Sequence, residues 1–247
     1  MSETGKELTF VEHLEELRGR LIRAVCCWVA ACLVVYHFVD PILRFLVRPF
    51  GQFYFFSPYE AFEAKLLLIL WGGLIVASPY ILFQLWAFFS AAFNVQAQKY
   101  IAVFVWLSSA FFLLGCAFAY WVVLPFSTKF LLSFSSDVLR PMISISRYLN
   151  FVTSLVMAFG VIFEFPLVMV FFVQVGIATP EFLIQMRRYA VVAIFVISAI
   201  LTPPDWVSQL FMAFPLLGLY ELSILLAKWV SRRQRKVEFG FGASVRH

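Results

Sequence analysis

Charge is what this sequence has least of. Asp, Glu, Lys and Arg make up 13% of its 247 residues, where soluble domains carry ~25%. Also missing is any metal- or disulfide-forming pattern, since Cys26, Cys27, Cys32 and Cys116 lie inside apolar runs, with no CxxC pair and no His at ligand spacing. They read as small core residues, and no disulfide, metal or cofactor is expected. The chain begins Met1-Ser2-Glu3-Thr4-Gly5-Lys6-Glu7, without the basic start and short apolar stretch of a cleavable leader, so no segment is expected to be removed. What is present in excess is apolar: 63% hydrophobic residues, 19% aromatics and 31 Phe, with a mean hydropathy of +0.91. A soluble fold of this size has too little interior to hide that surface. Lipid is the expected solvent, which excludes a secreted disulfide scaffold and a disordered chain. The net charge of +5 then reports membrane topology, and no nucleic-acid partner is expected.

A helix needs ~20 apolar residues to cross a hydrocarbon core ~30 Å thick. Six such runs are expected, at 21–39, 66–90, 100–124, 148–178, 189–202 and 206–227. The last two are separated by Pro203-Pro204-Asp205 alone and form a hairpin. Backbone groups in lipid must be satisfied within the segment, so each run is helical, with kinks at Pro79, Pro166 and Pro215. The ~10-residue alternating strands of a barrel are absent. The expected fold class is therefore all-α, a polytopic membrane protein with a single membrane domain over residues 1–247. Thirteen of the 19 Lys and Arg fall on one side of these spans, which puts both termini in the cytoplasm. The loops at 40–65 and 125–147, rich in Pro, Ser and aromatics, are expected to fold as an outer cap, and 228–247 as a basic cytoplasmic tail. No internal repeat is visible, which removes support for an inverted-repeat transporter.

The informative residues are those that break the apolar pattern. Glu164 lies near the midpoint of its span, where a charged side chain costs about 2.5–3.5 kcal/mol on the lenient insertion scale. It is either a hydrogen-bonded packing residue beside Pro166 or a polar, water-accessible patch that a substrate or partner helix uses. The run 189–202 reaches only about 21 Å as a helix, and Glu221 interrupts the run after it. Two short adjacent helices thin the bilayer or draw polar groups inward. Thr202 and Gln209 flank their turn as hydrogen-bonding groups for a neighbouring helix, and Asp205 has the simpler option of capping the last helix. At the other end, Phe10, Leu14, Leu17 and Leu21 recur at helical spacing, so residues 8–20 are expected to form an amphipathic helix at the cytoplasmic surface. Its polar face is acidic. Glu12 and Glu16 stand one turn apart with Glu15 beside them. Glu16 pairs with Arg20 at i, i+4 or receives an external cation, for which a planar guanidinium is the best match. Thr179-Pro180-Glu181 has the order of an N-cap, a first-turn Pro and a first-turn acid, which starts a short helix before the fifth span.

Read together, these features resemble the TatC family of twin-arginine translocase proteins. The resemblance rests on His13-Leu14-x-Glu16-Leu17-Arg18-x-Arg20, Ser57-Pro58-x-Glu60-x-Phe62 and Ala77-Ser78-Pro79-x-Ile81-Leu82-x-Gln84-x-Trp86-x-Phe88. It continues through Ala117-Phe118-Ala119-Tyr120 with Pro125, Ala158-Phe159-Gly160-x-x-Phe163-Glu164-x-Pro166 and Leu201-Thr202-Pro203-Pro204-Asp205-x-x-Ser208-Gln209. It implies a glove-shaped six-helix protein of the bacterial cytoplasmic membrane that binds signal peptides bearing two consecutive arginines. It also implies recruitment of single-span TatA- and TatB-type proteins and assembly into a homo-oligomer. Carried onto these residues, Glu16 is the signal-recognition carboxylate, supported by Arg18 and Arg20, with Glu164 on the concave face. Thr202, Asp205 and Gln209 correspond to the partner-binding site. One departure stands out: where the family carries a second signal-binding glutamate, this chain has Ala97. The Glu12/Glu15/Glu16 cluster then carries recognition alone, or Gln96 and Gln98 supply weaker neutral acceptors, with reduced affinity or relaxed stringency expected.

A secondary transporter or channel with Glu164 as its midplane ion site is the alternative from another class. It lacks companions, because no other Asp, Glu, Lys, Arg or His lies inside spans two to five. An intramembrane protease has neither a Gly-x-Ser-x-Gly motif nor a second His within a span beside His37. No enzymatic chemistry is expected.

Overall fold

The computed structural model describes residues 10–47, 53–54, 56–92, 101–135, 142–201 and 206–244. They are almost wholly helical: α1 (Phe10–His37), α2 (Val39–Val47), α3 (Glu60–Ala92), α4 (Ile101–Phe118), a π turn (Ala119–Val123), α5 (Leu124–Leu132), α6 (Ile145–Phe163), α7 (Phe165–Gln174), α8 (Pro180–Gln185), α9 (Arg187–Leu201) and α10 (Trp206–Ser244). Five stretches, Leu14–His37, Glu60–Phe89, Ala102–Leu132, Ile145–Gln174 and Gln209–Arg232, are long and apolar enough to cross a membrane. The expected fifth run corresponds to α9, whose 15 residues reach about 22 Å.

Helices overrun several expected boundaries, and prolines shape the breaks within them. The amphipathic helix expected at 8–20 and the first span are one unbroken helix, α1. The third span does not stop before Pro125. Proline in a helix clashes with the carbonyl four residues back. Here the turn before it widens to π geometry, with the Leu124 N–H reaching the Ala119 carbonyl, and the helix resumes as α5. The segment expected as an outer loop at 125–147 is therefore helical at both ends, and that expected at 40–65 opens with α2. Within α3, Pro79 leaves the Ile75 carbonyl without its usual donor, and the Ser78 hydroxyl fills the vacancy at 2.7 Å. Pro166 acts more severely. The helix breaks at Glu164, whose N–H turns back to the Val161 carbonyl at 3.1 Å. The expected tail at 228–247 continues α10 as far as Ser244.

The chain divides into two compact units. The first comprises Met1–Ala110 with Ile143–Asn150. Its core is the α1 and α3 contact, where two glycines allow backbones to approach. A Cβ on Gly73 would overlap the Cys32 Sγ, and one on Gly72 would fall 3.0 Å from Val35. Trp28 donates its indole N–H to the Leu70 carbonyl across the same contact at 3.0 Å. At one end, Tyr54 pairs with Ser144 in a parallel bridge, exchanging backbone hydrogen bonds with Ile143 and Ile145 at 3.1 Å each. Glu60 accepts from the Ser144 hydroxyl at 3.1 Å and Glu63 from the Ser146 hydroxyl at 2.8 Å. Tyr148 completes the tie by donating to the Leu46 carbonyl at 3.0 Å. Lys65 pairs with Asp40 at 2.8 Å, and that hydrogen bond and charge hold the Asp40 carboxyl below its usual range.

The second unit comprises Phe111–Met142 with Phe151–His247. Small residues again set its spacing. A Cβ on Gly115 would meet the Phe159 carbonyl at 2.5 Å, and one on Gly160 would meet the Phe112 ring at 2.8 Å. After α7 the chain turns at Gly176, whose φ of +81° suits glycine. The expected cap follows, with Thr179 Oγ1 accepting from the Phe182 N–H at 3.1 Å at the start of α8. Tyr220 on α10 donates to the Leu183 carbonyl on α8 at 2.6 Å, and Arg187 pairs with Glu221 at 2.7 Å. These contacts root the α9–α10 hairpin at its α8 end.

Candidate functional site

The acidic face of α1 carries the best-defined cluster in the first unit. Glu15 and Arg18 are exposed, whereas Glu16 and Arg20 are partly sheltered. The Arg20 guanidinium lies along the helix against Glu16, with Nε at 2.9 Å and Nη2 at 2.5 Å from the same oxygen, Oε1. The two side chains keep only 18% and 24% of their surface, so water screens the pair less than an ordinary surface one. The third nitrogen, Nη1, faces Gln84 Oε1 on α3 at 3.5 Å. Gln84 is 3% exposed, and its Nε2 is buried with no hydrogen-bond partner. A buried unsatisfied donor costs about 1–3 kcal/mol.

Gln84 belongs to a motif quoted above, yet the sequence alone assigns it no role. Its signal is present, because it is the only amide side chain in the uncharged run 66–90. Glu60 and Glu63, which hold the two serines described above, likewise do not stand out as site residues in the sequence. The side chain of Glu12 and all of Gln96, Ala97 and Gln98 lie outside the described residues.

In the second unit, Glu164 sits half-buried at the break between α6 and α7. Its own carbonyl accepts the first N–H groups of α7, from Leu167 at 3.0 Å and Val168 at 3.1 Å. Gln209 on α10 donates Nε2 to the Phe195 carbonyl on α9 at 3.1 Å, tying the hairpin together. Thr202 and Asp205, expected beside it, lie outside the described residues. Glu16 and Gln84 thus share the first unit, while Glu164 and Gln209 belong to the second. The four cysteines are free thiols. Among the described residues no group of three or more His, Cys, Asp and Glu side chains converges as a metal site requires.

Described residues that are almost wholly helical, with five apolar stretches of membrane length, define a polytopic membrane protein. The comparisons with known proteins specify which. The family model for Sec-independent protein translocase protein (TatC) matches residues 12–215. The TatC protein of Carboxydothermus hydrogenoformans is 37% identical over 93% of this chain and 96% of its own length. That of Helicobacter pylori is 41% identical over 89% and 87%. A crystal structure of a twin arginine translocase receptor, TatC, superposes with a TM-score of 0.79 at 36% identity, covering 89% of this chain and 99% of the other. The chain belongs to the TatC family of Sec-independent protein translocase proteins, which is a family of translocase components rather than enzymes.

Proposed function

We propose that this chain is the receptor component of a twin-arginine translocase in a bacterial cytoplasmic membrane, with six spans and both termini cytoplasmic. Glu16 takes a guanidinium of the signal peptide. Glu12 and Glu15 add negative potential around it, Arg18 and Arg20 border it, and Gln96 and Gln98 act as neutral acceptors where a second carboxylate is lacking. Glu164 offers a polar foothold along the path of the inserted signal. Thr202, Asp205 and Gln209 receive single-span TatA- and TatB-type proteins, and copies of the chain assemble into the working complex.

The observation that carries this reading is the Glu16 carboxylate itself, which already accepts two N–H bonds from one guanidinium in a partly sheltered setting. A group that holds a neighbouring arginine in this way has the geometry to hold a foreign one. Support also comes from the solved relative described as a twin arginine translocase receptor. A photoreactive twin-arginine signal peptide, crosslinked to the chain in native membranes, tests the assignment. Charge-assisted hydrogen bonds are worth about 1.5–3 kcal/mol, so Glu16→Gln should weaken capture about 10- to 100-fold. Unchanged capture would overturn it.

A further inference from the structure

The carboxylate assigned to the signal is not vacant. Arg20 is anchored one turn away on the same helix and presents to Glu16 the donor array that a signal arginine would bring. An incoming guanidinium therefore exchanges for an equivalent one instead of filling an open site. On the far side of Arg20 lies Gln84, buried on α3 in a run without charges. Its carbonyl oxygen stands 3.5 Å from Nη1, the outer edge of a hydrogen bond. That contact has room to shorten once the guanidinium is released from Glu16.

We propose that Arg20 is a built-in competitor for Glu16, and that signal capture is a guanidinium exchange in which Arg20 shifts onto Gln84. This inference rests on the assignment of Glu16 to the signal. Its consequence is a specificity rule. One arginine replacing another at Glu16 gains about two- to fivefold less than it would at a vacant carboxylate, so net binding leans more on what the second arginine adds, for instance at exposed Glu15. The resident arginine thereby sets the requirement for a pair. Gln84 gives the displaced side chain an acceptor in surroundings that offer few others.

The expected sign separates a competitor from a supporting residue. In full-length protein in native membranes, Arg20→Gln removes the competing pair and should raise capture of the twin-arginine peptide about two- to fivefold, the worth of a partly exposed i, i+4 ion pair. A peptide with one arginine replaced by glutamine, barely captured by the parent chain, should become measurable. Arg20→Lys, which keeps the charge but loses the fork, should move capture the same way by less. Gln84→Met should lower capture in the parent chain and do nothing in the Arg20→Gln background, because its effect runs through Arg20. Capture that falls or stays level in both Arg20 variants overturns the exchange. If capture by the parent chain does not depend on Glu16 at all, the assignment of Glu16 fails and the exchange fails with it. Glu16-dependent capture without a rise in Arg20→Gln sinks the exchange alone.

Discussion

Gly73 shows how much one missing side chain sets in this protein. A methyl group there would overlap Cys32 Sγ and stand 3.0 Å from the Cys32 backbone nitrogen, so α1 and α3 would have to separate. Overpacking of this kind costs about 1–3 kcal/mol. Gly73→Ala should lower the melting temperature of the purified protein. Cys32→Ala in the same chain should return part of the loss, since it removes the sulfur and leaves the backbone contact. Full recovery would mean that the backbones have room to spare. The sequence shows the glycine pair at 72–73 inside an apolar run but not what it faces, because Cys32 lies 41 positions earlier. The same holds for Gln84. Its polarity is visible in one dimension, whereas its role beside Arg20 depends on two helices meeting.

At the level of elements, hydropathy and proline placement carry most of the fold. The apolar runs are helices, the Ser78-Pro79 pair sits inside one continuous helix with a built-in substitute bond, and the break at Glu164 follows from Pro166. The π turn before Pro125 is not legible in the sequence, because a clash with the preceding turn can end a helix or widen it, and the local residues do not choose between them. The hairpin carries a prediction of its own. Gln209 holds α10 to α9 through the Phe195 carbonyl, and hydrogen bonds between helices in membranes average about 0.6 kcal/mol. Gln209→Leu should therefore barely change thermal stability while reducing copurification of single-span partner proteins. A large loss of stability with partners retained would make Gln209 a packing residue and nothing more.

For the molecule as a whole, the least legible feature is the tie at the far end of the first unit. The composition of the two long loops points to a folded cap, but not to the residues that join them. Glu60 meets Ser144 across 84 positions and Glu63 meets Ser146 across 83, separations that no periodicity reports. Replacing both serines with alanine removes one donor from each of these half-buried carboxylates, Glu60 keeping the Phe56 N–H at 3.3 Å, at about 0.5–1.5 kcal/mol for each bond lost. A melting curve on the purified double variant measures the cost, and an unshifted curve would show water serving both groups. The tie also imposes a schedule on synthesis. Ile143–Asn150 belongs to the unit otherwise built from Met1–Ala110, so that unit cannot close while its last piece is still on the ribosome. At ~5–20 residues per second, Glu60 and Glu63 wait several seconds after they emerge before their serines exist. During that interval the half-built unit has to be sheltered by the insertion machinery, and a stall anywhere in the intervening stretch would strand it open.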